Sequence, residues 1–204
     1  MTPEDNPLRG TAAGVSRGFE DPVAHSQRVF RAVMDAMSRP GSIHDMDARI
    51  DVPPGLSLAS AALGLALLDH ETSAWLPGSC AAASAWLRFH TGCALAAAPE
   101  EADYVLVPLG CTCPDLSALR LGSDEEPHRS ATAIIDVAEL NAGSGWRLAG
   151  PGIRDEARLG FVGLAAVAIA QRNAATACFP RGIDAILACG TRIAALPRTT
   201  RMEA

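Results

Sequence analysis

The stretch that decides the fold is "DYVLVPLG" at residues 103–110, a continuous apolar strand candidate closed by Pro and Gly. A run without polar alternation is typical of a strand inside a sheet that is covered on both faces. A further apolar strand, "SATAIIDV" (130–137), follows the polar loop "GSDEEPHR" (122–129). The pattern therefore predicts a sheet with other elements packed on both sides of it.

The first predicted helix begins at Asp21-Pro22, because Asp is a favoured N-cap and Pro fits the first helical position. Pro40-Gly41 ends it. Helical periodicity places five long apolar side chains on one face, which are Val23, Phe30, Val33, Met34 and Met37. His25 falls away from that face, so the pattern predicts an amphipathic helix with His25 on its polar side.

The remaining segments continue an alternation of helices and strands. Further helices are predicted at 57–68, 79–88 and 154–172, the last being the longest. Further strands are predicted at 42–50, 73–77 and 145–150. "DAILAC" and "RIAALP" flank Gly190-Thr191 and indicate a β-hairpin at the end of the chain. This order predicts an α/β fold, a three-layer α/β/α domain on a mixed sheet.

The 204 residues suit one hydrophobic core. Residues 1–18, rich in Pro and Gly, are expected to form a loose N-terminal tail, and residues 19–204 a single domain. No basic segment followed by an apolar one opens the chain, and its apolar runs are too short to span a bilayer. We therefore expect a cytoplasmic protein without membrane contact, whose six cysteines are free thiols.

Charge and composition exclude several classes of function. The net charge of −6 argues against nucleic-acid binding, which normally needs a basic surface. All 17 positive side chains are arginines. Without lysine the chain cannot form a Schiff base with pyridoxal phosphate or carry a Walker-type phosphate loop. Every fixed cation is instead a planar guanidinium suited to a carboxylate or a phosphate.

Two segments contain candidate anion-binding or subunit-interface residues. "RFHTG" places Arg88 and His90 at a helix end, where the helix dipole alone would also favour cations. "LPRTTR" contains Arg198 and Thr199, which either bind a phosphate or carboxylate or belong to a polar tail. No nucleophile–base pair is present, and the Cys111-Thr112-Cys113 spacing does not suit zinc. We therefore predict no catalytic residue and no metal site.

Three motifs together resemble a known family. They are "GFEDPVAHSQRVFRAVMDAMSRPGSI" (18–43), "LRFHTG" (87–92) and "FPRGIDAILACGTRIAALPRTT" (179–200). In this order and at these separations they resemble PhnH, the H subunit of the bacterial carbon–phosphorus lyase core complex. The resemblance covers nearly the whole chain, from Gly18 to Thr200.

The resemblance implies a subunit that acts with G-, I- and L-type companions to replace the adenine of ATP by methylphosphonate. The product is α-D-ribose 1-methylphosphonate 5-triphosphate. It also implies a J-type partner in the larger assembly, a homodimer in isolation, and no cofactor. The implied fold is similar to the large domain of pyridoxal-phosphate-dependent transferases without the cofactor, in line with the missing lysines. The family supplies no catalytic residue that could be assigned here.

The family pattern also changes the interpretation of "CFPRGID" (178–184). In the family the pattern is Phe-Pro-x-Gly, and the residue between Pro and Gly need not be arginine. Arg181, which occupies that position here, is therefore not favoured as a phosphate ligand. Pro180 and Gly182 are expected to shape a turn, with Asp184 as its polar anchor. Two functions stay open. The favoured one is an accessory subunit without chemistry of its own, and the alternative is a subunit that binds nucleotide or phosphonate through Arg88, His90 and Arg198.

Overall fold

The run at 103–110 forms a strand at Tyr104–Val107 whose last three side chains are buried within a seven-stranded sheet. The computed structural model describes residues 15–203. Helices α1 to α4 are Pro22–Ser38, Leu58–Leu67, Ala81–Thr91 and Ala166–Ala175. Strands β1 to β10 are His44–Asp45, Ser73–Trp75, Ala94–Leu95, Tyr104–Val107, Thr132–Asp136, Glu139–Ala149, Ala157–Val162, Asp184–Cys189, Arg192–Leu196 and Arg201–Glu203. Short 3-10 helices lie at Gly78–Cys80, Pro99–Glu101, Leu116–Ala118, Pro127–Arg129 and Thr176–Cys178.

The large sheet has the strand order β1-β9-β8-β5-β4-β2-β3. Strands β3, β2, β4, β5 and β8 are parallel, whereas β9 pairs antiparallel with β8 and β1 pairs antiparallel with β9. The predicted mixed sheet is confirmed. The predicted hairpin is confirmed too, since Cys189 pairs with Arg192 across the turn at Gly190-Thr191.

Successive side chains of the central strands enter two separate cores. Leu106 and Ile134 pack in one core with α1, α2 and α3. Their neighbours Val105 and Ile135 pack in a second core with α4 and with a three-stranded sheet of order β10-β6-β7. The predicted layers are therefore correct in number, but one outer layer combines a single helix with a small antiparallel sheet. The likeness to pyridoxal-phosphate-dependent transferases stays a prediction.

Helix α1 begins as predicted, since the Asp21 side chain accepts a hydrogen bond from the Ala24 backbone N–H at 3.0 Å. The structure buries a different face from the one that the long apolar residues define. His25, Val29, Val33 and Ala36 are buried, at a spacing of four, four and three residues. Of the five long apolar residues, Val33 is buried and Met37 packs against the core, whereas Val23, Phe30 and Met34 are left on the surface. The prediction that His25 lies on the polar side is wrong, since His25 is 5% exposed.

The helix predicted at 154–172 is wrong in its first half. Residues Ala157–Val162 form β7, and only Ala166–Ala175 are helical. The strand pairs with β6, and the register places Gly160 opposite Asn141. Gly145 lies in the irregular stretch of β6 between Ala142 and Trp146, and a side-chain Cβ there would lie 2.6 Å from the Gly160 Cα. Two glycines that allow this close approach, together with the strand pairing, override the helical pattern.

Other bounds differ from the prediction in length. The strand predicted at 42–50 is only two residues long, and the strand predicted at 145–150 is the end of the eleven-residue β6. The predicted helix at 57–68 is confirmed. Among residues 15–203, no helix combines the length and the apolar character needed to cross a bilayer. The predicted tail falls largely on residues 1–14, which lie outside the described residues.

A buried arginine attaches α4 to the end of the chain. Arg172 is 2% exposed, and its guanidinium donates hydrogen bonds to the backbone carbonyls of Leu196, at 2.9 Å, and of Pro197 and Thr200. The next residue, Asn173, exchanges two hydrogen bonds with the backbone of Met202. Burial lowers the pKa of Arg172 to about 10, so it stays protonated at neutral pH.

We expect Arg172→Met to lower the free energy of unfolding by about 2–4 kcal/mol, because three backbone carbonyls, two of them buried, lose a hydrogen bond from the guanidinium. The exposed Arg201→Met, in the adjacent β10, should change it by less than about 0.5 kcal/mol. Urea unfolding of both variants measures the difference. Equal effects of the two substitutions would contradict the role given to Arg172.

Candidate functional site

A cavity of about 330 Å³ opens where the parallel strands β4 and β5 end, and we call it the strand-end cavity. Ligands of open α/β sheets usually bind at the carboxyl ends of the strands. The lining consists of the loop 108–115 that follows β4, the end of β5 and the first turns of α4. The exposed apolar side chain of Val167 lies at this lining.

Asp136 ends β5 beside this cavity and is 5% exposed. Its Oδ1 accepts hydrogen bonds from the hydroxyls of Ser57 and Ser60, each at 2.6 Å, and its Oδ2 accepts one from the Ser57 backbone N–H at 3.3 Å. The Ser57 hydroxyl also accepts from the Ser60 backbone N–H at 3.1 Å, which makes Ser57 the N-cap of α2. The carboxylate therefore attaches the start of α2 to the end of β5.

Burial raises the pKa of the Asp136 carboxyl above its ordinary value, while the hydrogen bonds from Ser57 and Ser60 act in the opposite direction. Both oxygens are already bonded to the chain itself. The group is thus placed to hold α2 and β5 together, and its lone pairs are largely unavailable to a ligand.

Two cysteines of the loop 108–115 line the cavity, Cys111 and Cys113. Burial raises the pKa of the Cys113 thiol to about 11, so it is protonated at neutral pH and a poor nucleophile. Over residues 15–203, no three His, Cys, Asp or Glu side chains come close enough together to bind a metal ion.

A larger cavity, of about 820 Å³, lies between residues 17–22, residues 49–51 and the end of α3. Its charged side chains are paired with each other. Arg17 contacts Asp51 at 3.2 Å, and Arg49 contacts Glu20 at 3.6 Å, with all four side chains well exposed. The lining therefore offers opposite charges in pairs rather than a concentrated positive surface.

The structure places Arg88 and His90 in the last turn of α3, which ends at Gly92 with φ of 75°. The His90 Nε2 and the Trp86 Nε1 both donate to the Ser16 carbonyl, each at 2.9 Å. His90 thereby attaches the segment before α1 to α3. Arg88 is exposed and makes no ion pair with any residue that the structure describes.

Arg198 is bonded to the anchor of the predicted turn. Its guanidinium donates to Asp184 Oδ2 at 2.6 Å and to the Pro127 carbonyl, and its backbone N–H donates to Asp184 Oδ1 at 2.7 Å. Both charged side chains are less than one-fifth exposed, at 19% and 18%. These contacts occupy donors that a phosphate would need. Thr199, the neighbouring candidate, lies half-buried in the turn between β9 and β10.

The predicted turn packs directly against Arg198. Gly182 has φ of 151°, and a Cβ at this position would lie 3.0 Å from the Cβ of Arg198. The Gly182 backbone N–H donates to the Leu121 carbonyl at 2.9 Å. The preceding Phe179-Pro180 peptide bond is cis. Arg181 points elsewhere and contacts Asp124 at 3.2 Å on the surface. The structure thus brings Gly182, Asp184 and Arg198 together.

Sequence reasoning missed Asp136 and Arg172, the two buried charged residues described above. A signal existed for Asp136, since it is the only charged residue within the apolar run 130–137. Arg172 lay inside a predicted helix that contained other polar residues, and the pattern could not show that α4 turns it inward.

The fold and the site define a class of protein: a mixed α/β domain whose candidate anion-binding groups mostly bind its own backbone and carboxylates. Residues 17–203 match the family described as bacterial phosphonate metabolism protein (PhnH). The chain is 36% identical over 190 residues to the α-D-ribose 1-methylphosphonate 5-triphosphate synthase subunit PhnH of Rhizobium meliloti (strain 1021), covering 92% of this chain and 95% of that protein. It is 42% identical over 84 residues to the putative C-P lyase subunit protein HtxG of Stutzerimonas stutzeri, covering 41% and 43%.

The chain therefore belongs to the PhnH family of bacterial phosphonate metabolism proteins. The resemblance seen in the three sequence motifs is confirmed. The match spans α1 through β10, so it includes every element that positions the residues described above.

We expect Arg198→Ala to lower the free energy of unfolding by about 2 kcal/mol, because Asp184 would remain half-buried without its guanidinium partner. Arg181→Ala is the matched control, since its pair with Asp124 is exposed and should contribute less than about 0.5 kcal/mol. Thermal and urea unfolding measure both values. A larger loss from Arg181→Ala than from Arg198→Ala would reverse the assignment.

The raised pKa of Asp136 predicts a pH effect of definite sign. The folded state keeps the Asp136 proton to higher pH than the unfolded state, whose carboxyl titrates near 3.8. As the pH rises from that value through the raised pKa, this group therefore lowers the free energy of unfolding. This decrease with pH should be absent in Asp136→Asn, whose free energy of unfolding otherwise differs from that of the wild type by a constant amount. It should be present in the exposed control Asp45→Asn. Urea unfolding at a series of pH values tests this, and a pH-independent difference between wild type and Asp136→Asn would contradict it.

Proposed function

We propose that this chain is an accessory subunit of α-D-ribose 1-methylphosphonate 5-triphosphate synthase, within the carbon–phosphorus lyase system of the cytoplasm. The observation that carries the proposal is the match over almost the full length of a relative that bears this subunit name. In this role the chain contributes a folded surface to the assembly, and the transfer of the ribose triphosphate of ATP to methylphosphonate takes place on companion subunits.

The internal use of the candidate anion-binding groups supports this role. Arg198 is bonded to Asp184 and to Pro127, and His90 is bonded to the carbonyl of Ser16. A nucleotide or phosphonate site built from these residues would first have to break contacts that stabilise the fold.

The exposed side of α1 supplies a surface for a partner. Val23, Phe30 and Met34 are 68%, 50% and 56% exposed and lie at a spacing of seven and four residues, on one face of the helix. At a rise of about 1.5 Å per residue they extend over roughly 16 Å. We call this surface the α1 stripe. Large apolar side chains grouped on a surface mark interaction sites more often than isolated ones do.

We propose that the α1 stripe contacts a companion subunit of the G, I, J or L type in the assembly. In the isolated protein the same stripe would pair with a second copy, which gives the homodimer that the family resemblance implies. Both contacts would bury the same three side chains, so a dimer through this surface and the assembly contact exclude each other.

We expect Phe30→Asp with Met34→Asp to abolish co-purification with co-expressed G-, I- and J-type subunits, because two charges would be buried against an apolar partner. Phe179→Asp is the control, since the Phe179 side chain is 67% exposed, more than Phe30 or Met34, but lies outside α1. Size exclusion with mass measurement reads out both the assembly and the homodimer. Circular dichroism should show an unchanged fold, and an intact assembly with the doubly substituted chain would overturn the assignment of this surface.

The alternative is a subunit that itself binds nucleotide or phosphonate. The observation in its favour is the exposed Arg88, which forms no ion pair within residues 15–203. Thermal unfolding with ATP or methylphosphonate distinguishes the two functions, since a bound ligand raises the melting temperature. The accessory role predicts no shift at saturating concentration. A shift that is lost in Arg88→Ala but kept in the α1 variant Arg31→Ala would establish the alternative instead.

A further inference from the structure

Two cysteines far apart in the sequence lie side by side in the structure. The sulfur of Cys80, at the start of α3, is 3.9 Å from the sulfur of Cys111, in the loop 108–115, although 31 positions separate the two residues. The Ser79 hydroxyl lies close to both sulfurs, at 3.8 and 4.0 Å. All six cysteines are free thiols in the structure, so this pair is reduced.

We propose that Cys80 and Cys111 form an oxidation-sensitive pair, which a hydroperoxide converts to a disulfide that fastens the loop 108–115 to the start of α3. A disulfide needs a sulfur separation of about 2.05 Å, so the two sulfurs must approach by roughly 2 Å. Gly110 directly precedes Cys111 and has open space around the position of a Cβ, and a glycine permits the backbone rotation that such an approach needs.

The environment of the two thiols sets the order of the reaction. Cys111 is half-buried and lines the strand-end cavity, through which a small peroxide can reach it. Cys80 is 7% exposed, and burial raises the pKa of its thiol. Cys111 is therefore the thiol that meets the oxidant, and Cys80 is the resolving partner.

The chemistry balances with the hydroperoxide as the oxidant. The Cys111 sulfur attacks the peroxide and the O–O bond breaks, which leaves a sulfenic acid on Cys111 and releases an alcohol, or water from hydrogen peroxide. The Cys80 sulfur then attacks the Cys111 sulfur, so that the S–S bond forms and the S–O bond breaks. The hydroxyl leaves as water with the Cys80 proton. Two electrons pass from the thiols to the peroxide.

The disulfide would close a ring that contains α3, β3 and β4. Constraining such a ring stabilises the folded state by limiting the unfolded one. It would also fix the loop that forms one side of the strand-end cavity. Oxidation thus changes the mobility of that surface without adding or removing a charge.

The test uses the isolated full-length chain, reduced, freed of reductant and treated with a few equivalents of hydrogen peroxide. We expect the number of titratable thiols to fall from six to four, and peptide mapping to show one Cys80–Cys111 cross-link. The melting temperature should rise by at least about 3 °C, and dithiothreitol should reverse the change. Cys80→Ser and Cys111→Ser should lose the cross-link and the thermal shift, and the neighbouring Cys113→Ser should keep both.

A cross-link between any other pair, such as Cys111 with Cys113, would overturn the proposal. So would a disulfide between two copies of the chain, or oxidation of Cys111 to a sulfinic acid while Cys80 stays a thiol. Each outcome is read directly from the peptide masses. None of them depends on the companion subunits, so the result is independent of the proposed accessory role.

Discussion

Burial of the central strands on both faces is the constraint from which the other elements follow. Leu106 and Ile134 need one apolar layer, and their immediate neighbours Val105 and Ile135 need another. Because adjacent side chains of a strand point to opposite faces, neither layer alone could cover β4 and β5. Helices α1 to α3 cover one face, and α4 with the small sheet covers the other. The strand-end cavity lies where β4 and β5 end, and the α1 stripe lies on the solvent-exposed face of α1.

The arginines show how a chain without lysine uses its cations. Arg172 satisfies three backbone carbonyls, and Arg198 joins Asp184 to the Pro127 carbonyl. A guanidinium can serve several acceptors at once through its planar set of donors, which an ammonium group cannot do with the same geometry. Residues that looked suited to a ligand are thus part of the fold. This is why the proposed role of an accessory subunit agrees with the geometry better than a binding site built from these groups.

The errors of the sequence-based prediction have identifiable causes. At 154–172 the apolar residues fitted a helix, but the close approach of Gly145 to Gly160 depends on pairing with β6, which lies outside the segment that the pattern described. In α1 the helical pattern grouped the long apolar residues, whereas the structure buries the neighbouring face with His25, Val29 and Ala36. The packing of α1 against α2 and β9 decides which face is buried. The strand-end cavity could not be located either, since its lining comes from three separate segments.

The sequence by itself determined the α/β class, the mixed sheet, the terminal hairpin and the PhnH family, because these depend on local runs and on motifs in a fixed order. It also placed Gly182 and Asp184 in a turn. Only the tertiary structure decided what the charged and thiol groups contact: Arg198 with Asp184, Asp136 with two serines, and Cys80 with Cys111. Arg198 and Asp184 are 14 positions apart at the open end of one hairpin, whereas the other contacts join residues 31 to 79 positions apart. The proximity of those distant residues is set by the packing of layers on the sheet, which no local pattern encodes.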